Sequence, residues 1–168
     1  QTSSRKTLLD QSLDIIEPVQ DEDGYLHANM APKSLRHLRW SHGGMNELYA
    51  AGHLMQAAIG HRRNTGESRF LDIAIRVADH VHDGFGEGKK EWHPSHPVIE
   101  MALIELYRET QNTKYLDLAC YFIEHVGVPD MSEIAGHSVH VTFLLCGVID
   151  AYMETGNQSY LESSKRLH

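Results

Sequence analysis

Three aromatic–leucine pairs, Phe70-Leu71, Tyr115-Leu116 and Tyr160-Leu161, stand 45 residues apart, each just after a polar turn built around a threonine. The turns read Asn64-Thr65-Gly66-Glu67, Glu109-Thr110-Gln111-Asn112 and Glu154-Thr155-Gly156-Asn157, and each follows a long apolar run with helical character. A unit recurring at this period is one supersecondary element that cannot bury its apolar face alone and must stack against copies of itself. The chain is therefore read as a succession of helical hairpins forming a solenoid or a closed ring.

The hydrophobic pattern alternates between two kinds of helix. The segments from about Asn46 to Arg62, Val98 to Arg108 and Val139 to Met153 are densely apolar, as buried helices are. Those from Ser68 to Asp83 and Tyr115 to Val126 carry an apolar stripe with charges elsewhere, as helices facing water on one side do. Ser159 to His168 has the periodicity of an opening helix. Leu8 to Ile16 form a leading helix that stops near Pro18, and Asp21-Glu22-Asp23-Gly24 supplies a turn. Tyr25 to Arg39 shows no period and contains Pro32, so it is read as a long loop and a candidate site loop. No segment shows sustained alternation of period two, which predicts an all-α protein with essentially no sheet. Two concentric layers, with dense helices inside and striped helices outside, account for the order. About three hairpins and a leading helix amount to half of a six-hairpin ring, so residues 1–168 are expected to be a partial (α/α)6 barrel domain, truncated on its C-terminal side, with inner-helix surfaces left uncovered and prone to self-association.

Composition narrows the function. A formal charge of −8, without clustered Lys and Arg, argues against a nucleic-acid partner. No apolar run approaches the roughly 20 residues of a membrane helix, and the start, Gln1 to Lys6, lacks a signal-like apolar core, which favours a cytoplasmic protein with no membrane partner. Cys120 and Cys146 lie within apolar helical runs, where free cysteine acts as a small hydrophobe, so no disulfide is expected.

A small residue precedes a histidine just before or within each dense helix: Gly52-His53, Ser95-His96 and Gly136-His137, 41 to 43 residues apart. In concentric hairpins, equivalent positions of inner helices meet around a central hollow, so His53, His96 and His137 are expected to line one pocket. Neutral imidazole offers one donor and one acceptor, which suits the hydroxyls of a sugar, and Trp40, Tyr49 and Trp92 are candidates to pack against its C–H face. His93 with His96, and His137 with His140, have spacing that can chelate, but neither pair has the glutamate of H-E-x-x-H or a cysteine quartet, so no metal site is assigned. Glu47 and Glu100 sit on inner helices, where a glycosidase acid would stand, but are read as solubilising or ion-paired glutamates. No nucleophile–base pair or phosphate loop appears, so no catalytic residue is assigned.

The runs Asp23-Gly24-Tyr25-Leu26, Glu47-Leu48-Tyr49-Ala50-Ala51-Gly52-His53-Leu54, Ser95-His96-Pro97-Val98-Ile99-Glu100-Met101-Ala102-Leu103 and Gly136-His137-Ser138-Val139, in this order, resemble the β-L-arabinofuranosidases of glycoside hydrolase family 127. The resemblance covers essentially the whole chain. It departs from the pattern at Ala51, where many members have cysteine, and at Asn46, where many have histidine. The resemblance implies the N-terminal part of an (α/α)6 catalytic barrel in a retaining glycosidase that removes terminal β-L-arabinofuranose from arabinosides. It implies that His53, His96 and His137 contact the sugar. The acid/base glutamate and a zinc-bound cysteine nucleophile are expected downstream of His168, so that zinc belongs to the full-length protein and the chain alone is inactive. Another six-hairpin sugar enzyme, of the unsaturated uronyl hydrolase or epimerase type, is an alternative. A non-catalytic helical-repeat scaffold is the alternative from a different class, and it predicts histidines dispersed over the surface.

Overall fold

A computed structural model of the chain describes residues 7–28, 32–40 and 46–168. Among these residues seven α-helices carry the fold: α1 (Leu8–Ile16), α2 (Glu47–Thr65), α3 (Arg69–Gly84), α4 (Ile99–Thr110), α5 (Thr113–His125), α6 (Ser138–Thr155) and α7 (Gln158–Leu167). Among the described residues there is no strand, only one isolated bridge between Phe85 and Lys90. The ends fall within a few residues of the sequence expectation.

The hairpins are α2–α3, α4–α5 and α6–α7, and the inner helices pack in series, α2 on α4 and α4 on α6. The middle inner helix is the most enclosed: Ile99, Glu100, Ala102, Leu103, Ile104 and Leu106 are all buried. On the outer α3 and α5, the stripes Phe70, Ala74, Val77, Ala78, Val81 and Tyr115, Leu118, Ala119, Phe122 face the core. This is the helical-hairpin architecture of an (α/α) barrel portion.

The 45-residue period extends to the polar contacts. Thr65, Thr110 and Thr155 each donate a hydroxyl to the carbonyl four residues back and accept an N–H two residues on, closing each inner helix in the same way. The next residue is left-handed in every repeat, Gly66 at φ +79°, Gln111 at φ +59° and Gly156 at φ +69°. Asn112 and Asn157 then cap α5 and α7 by accepting the N–H of Lys114 and Ser159. Between repeats, Arg63 pairs with Glu109 and Arg108 with Glu154, while the buried Tyr115 and Tyr160 hydroxyls donate to Asp79 and Glu124 at 2.6 and 2.7 Å. Phe70, the first of the series, has no hydroxyl to give.

Two glycines set the distance between inner helices. A Cβ on Gly52 of α2 would stand 2.8 Å from Val98 Cγ1 and 3.1 Å from the backbone of Ile99, and one on Gly147 of α6 would stand 3.0 Å from Glu100 Cβ. Both neighbours of α4 therefore approach it at its N-terminal turn.

The segment before α2 differs from the loop expected of it. Its described part contains a 3-10 helix, Lys33–Leu38, and its ends are buried in the core. Tyr25 packs edge-on against Trp40, which meets Phe85 in turn, and the Arg39 guanidinium lies 3.7 Å over the Tyr25 ring while pairing with Asp21. Glu47 in the first turn of α2 accepts the Tyr25 hydroxyl and, at 2.9 Å, the N–H of Trp40. The described residues of this segment thus form a strap clamped onto α2.

The outer edges of the inner layer carry apolar hollows. One of about 410 Å³ is lined by Ile16, Leu26, Ala50, Ala51 and Leu54 beside α2, and one of about 600 Å³ by Val141, Leu145, Cys146, Ile149 and Leu167 between α6 and α7. No helix among the described residues is long and apolar enough to cross a membrane.

Candidate functional site

The three repeat-related histidines lie in one cluster of rings. His53 is on α2 one turn after Tyr49, so both project from the same face, and their ring centroids are 4.5 Å apart. His96 sits in the loop entering α4, with its ring 4.1 Å from that of Tyr49. His137 is the N-cap of α6, and His140 and Phe143 follow it at helical spacing on the same face. The His140 ring is 3.9 Å from His96 and 4.9 Å from His137, and Phe143 reaches both His96 and His53 at 6.1 and 6.3 Å. Tyr49, His140 and Phe143 therefore join His53, His96 and His137 into one surface drawn from all three inner helices.

Each ring has a local reason for its position. His96 rides on Ser95-His96-Pro97-Val98, a segment pinned from α2 by the Gly52 contact and from within α4 by Glu100, whose carboxylate accepts the Val98 N–H at 3.1 Å. His137 is held by its Nδ1, which accepts the N–H of Val139 at 3.1 Å as the helix cap. His53 and His137 are exposed and His96 is half-buried, so the cluster is open to a ligand. A narrow cleft beside it is lined by Tyr49, Trp92, Ser95 and His96.

Three sequence expectations need correction. Trp40 is buried against Tyr25 and Phe85, and its indole N–H donates to His80, so it is committed to the strap and takes no part in the ring cluster. Glu47 is also buried, and its carboxylate is the acceptor that clamps that strap. Glu100 is neither solubilising nor ion-paired. It is fully buried, one of its oxygens has no hydrogen-bond partner, and burial raises its pKa to about 7. Of the aromatics named from sequence, Tyr49 lies within the cluster and Trp92 at the edge of its cleft.

His140 and Phe143 are the residues that spacing of the repeat missed, although a helical signal existed. Each lies three residues after the last on α6, and residues at that spacing share a face. Burial, followed by the neighbouring His96 and His137, lowers the pKa of His140 and favours its neutral form.

No group of three His, Cys, Asp or Glu side chains among the described residues is arranged to hold a metal ion. The two thiols, Cys120 on α5 and Cys146 on α6, are free and stand outside the ring cluster. The described residues do not fit a zinc centre.

The model of the β-L-arabinofuranosidase, GH127 catalytic domain matches residues 2–168. The chain belongs to glycoside hydrolase family 127. The non-reducing end β-L-arabinofuranosidase of Bifidobacterium longum subsp. longum is 29% identical over 96% of the chain and 31% of its own length. The GH127 β-L-arabinofuranosidase from Geobacillus stearothermophilus T6 superposes with a TM-score of 0.89 at 28% identity, over 95% of the chain and 31% of that structure. A second GH127 β-arabinofuranosidase superposes at 0.88 with 31% identity, covering 95% of the chain and 29% of its own. The GH127 chain described here thus spans about a third of the length of these relatives.

Proposed function

We propose that this chain is the sugar-contacting N-terminal portion of an (α/α)6 barrel in a glycoside hydrolase that acts on terminal β-L-arabinofuranosides. His53, His96 and His137 contact the sugar hydroxyls, and Tyr49 packs against its apolar face. The observation that carries this reading is the convergence of rings from three successive hairpins, which a scaffold with dispersed histidines would not produce. Imidazoles exchange hydrogen bonds with hydroxyls in either direction, and an adjacent aromatic face with a few placed polar groups is the usual composition of a sugar-sized site. The reaction itself needs two carboxyl groups, or an acid and another nucleophile, about the scissile bond. These groups, with the zinc expected of the full-length protein, are proposed to lie outside this chain, as are the surfaces that cover the apolar edges beside α2 and α6. Where those edges stay open, a second copy of the chain is the expected partner.

The test is calorimetric titration of the chain with methyl β-L-arabinofuranoside and with its α-anomer. Binding of the β-anomer is expected, weakened at least tenfold by His53→Ala or His96→Ala. Equal affinity for both anomers, or binding indifferent to both substitutions, would overturn the proposal.

A further inference from the structure

Two backbone contacts dictate where the protons sit in the ring cluster. A peptide N–H only donates, so the Nδ1 of His137 that meets Val139 N–H at 3.1 Å is the bare nitrogen, and the neutral ring carries its proton on Nε2. A carbonyl oxygen only accepts, so the Nδ1 of His96, 3.1 Å from the Pro97 oxygen, carries the proton and leaves Nε2 as an acceptor. Both rings turn about a broad, two-fold χ2 torsion, and a flipped ring would put the carbon Cδ2 in the place of Nδ1 and lose the backbone bond that fixes its tautomer. What opposes the flip is His140, tilted against His96 at 3.9 Å and stacked on His137 at 4.9 Å with only 12° between the planes.

Resting on the reading that this cluster meets a sugar, we infer that His140 is a specificity-determining residue that locks His96 and His137 in opposite tautomers. The cluster then presents one acceptor and one donor at set places. A hydroxyl both gives and receives a hydrogen bond and satisfies either group, whereas a carboxylate only accepts and is refused by the bare Nε2 of His96. The selected ligand class is a neutral furanose rather than a uronate.

Long-range proton–nitrogen correlation spectra of the protein labelled with 15N-histidine test the lock without any ligand. At pH 7.5 His137 is expected to show an unprotonated Nδ1 and His96 an unprotonated Nε2. In His140→Ala both rings are expected to give averaged nitrogen shifts, with affinity for methyl β-L-arabinofuranoside at least tenfold weaker. His140→Phe, which keeps the stacking, is expected to restore the separated shifts. His140→Arg is expected to lose the arabinofuranoside and gain affinity for glucuronate. Identical tautomers in His96 and His137, or a His140→Ala variant with unchanged shifts and affinity, would overturn the inference. Opposite tautomers in a protein that binds no arabinofuranoside would instead refute the proposed function and leave the tautomer lock standing.

Discussion

Replacing Glu100 by glutamine should make the protein less sensitive to alkali. The Glu100 carboxyl is fully buried at the start of α4, accepts one N–H from Val98, and has a second oxygen without a partner. Burial raises its pKa from the usual 4.5 to about 7. The folded state therefore holds this proton more tightly than the unfolded chain. The contribution to stability is complete below pH 4.5, declines as pH rises towards 7, and is gone above it. At about 1.4 kcal/mol per pH unit, the window between the two values corresponds to a loss of roughly 3 kcal/mol by pH 8. Glutamine does not ionise and its amide oxygen can still accept the Val98 N–H, so the variant lacks this slope. At pH 5 both proteins bury a neutral side chain and should agree within about 1 kcal/mol. At pH 8 the variant should be the more stable by about 2–3 kcal/mol. Urea unfolding followed by tryptophan fluorescence at pH 5, 6, 7 and 8 measures the difference between the two proteins, from which other titrating groups cancel. A difference that does not change with pH would refute the argument.

Three further substitutions test the packing and the repeat. Gly52→Ala gains about 1 kcal/mol of helix propensity but drives a methyl into Val98 and the Ile99 backbone, so a net loss of about 1–2 kcal/mol is expected; a raised melting temperature would show that α2 and α4 are not held at this distance. Gln111→Gly relieves a left-handed residue where the equivalent positions are Gly66 and Gly156, and should stabilise by about 0.5–1 kcal/mol despite losing the Gln111 side-chain bond to the Arg108 carbonyl. A lowered denaturation midpoint would contradict that. Tyr115→Phe and Tyr160→Phe each remove a buried hydroxyl from a carboxylate and should cost about 1.5–3 kcal/mol apiece. Effects on the two differing by more than about 2 kcal/mol in chemical denaturation would argue that the contacts are not equivalent parts of one repeat.

The layering of the molecule was legible in the order of residues because its causes are local and recur. The threonine that ends each inner helix closes it through bonds within four residues, and the left-handed position follows at Gly66, Gln111 and Gly156 whatever the surroundings. A stripe such as Phe70, Ala74, Val77 and Val81 needs only helical geometry to become one apolar face. The spacing of His53, His96 and His137 carried information for a related reason: places near the starts of stacked inner helices become neighbours in space, even though the three histidines stand at different offsets from those starts.

Burial and ring contacts between distant segments were not legible in that way. Glu47 and Glu100 are both inner-helix glutamates in sequence, yet one secures Tyr25 and the backbone of Trp40 while the other lies sealed in the core with an idle oxygen. Trp40 reads as a sugar-stacking candidate until its neighbours Tyr25, His80 and Phe85, distant along the chain, enclose it. His140 gains its part only because α6 approaches α4 closely enough at Gly147 for its ring to meet that of His96. The sequence by itself determined the helices, their turns and the register of the repeat, since these depend on bonds and periodicities within a few residues. Only the tertiary structure decided which polar groups lose their water and which rings touch, because desolvation and contact depend on what the rest of the chain brings alongside.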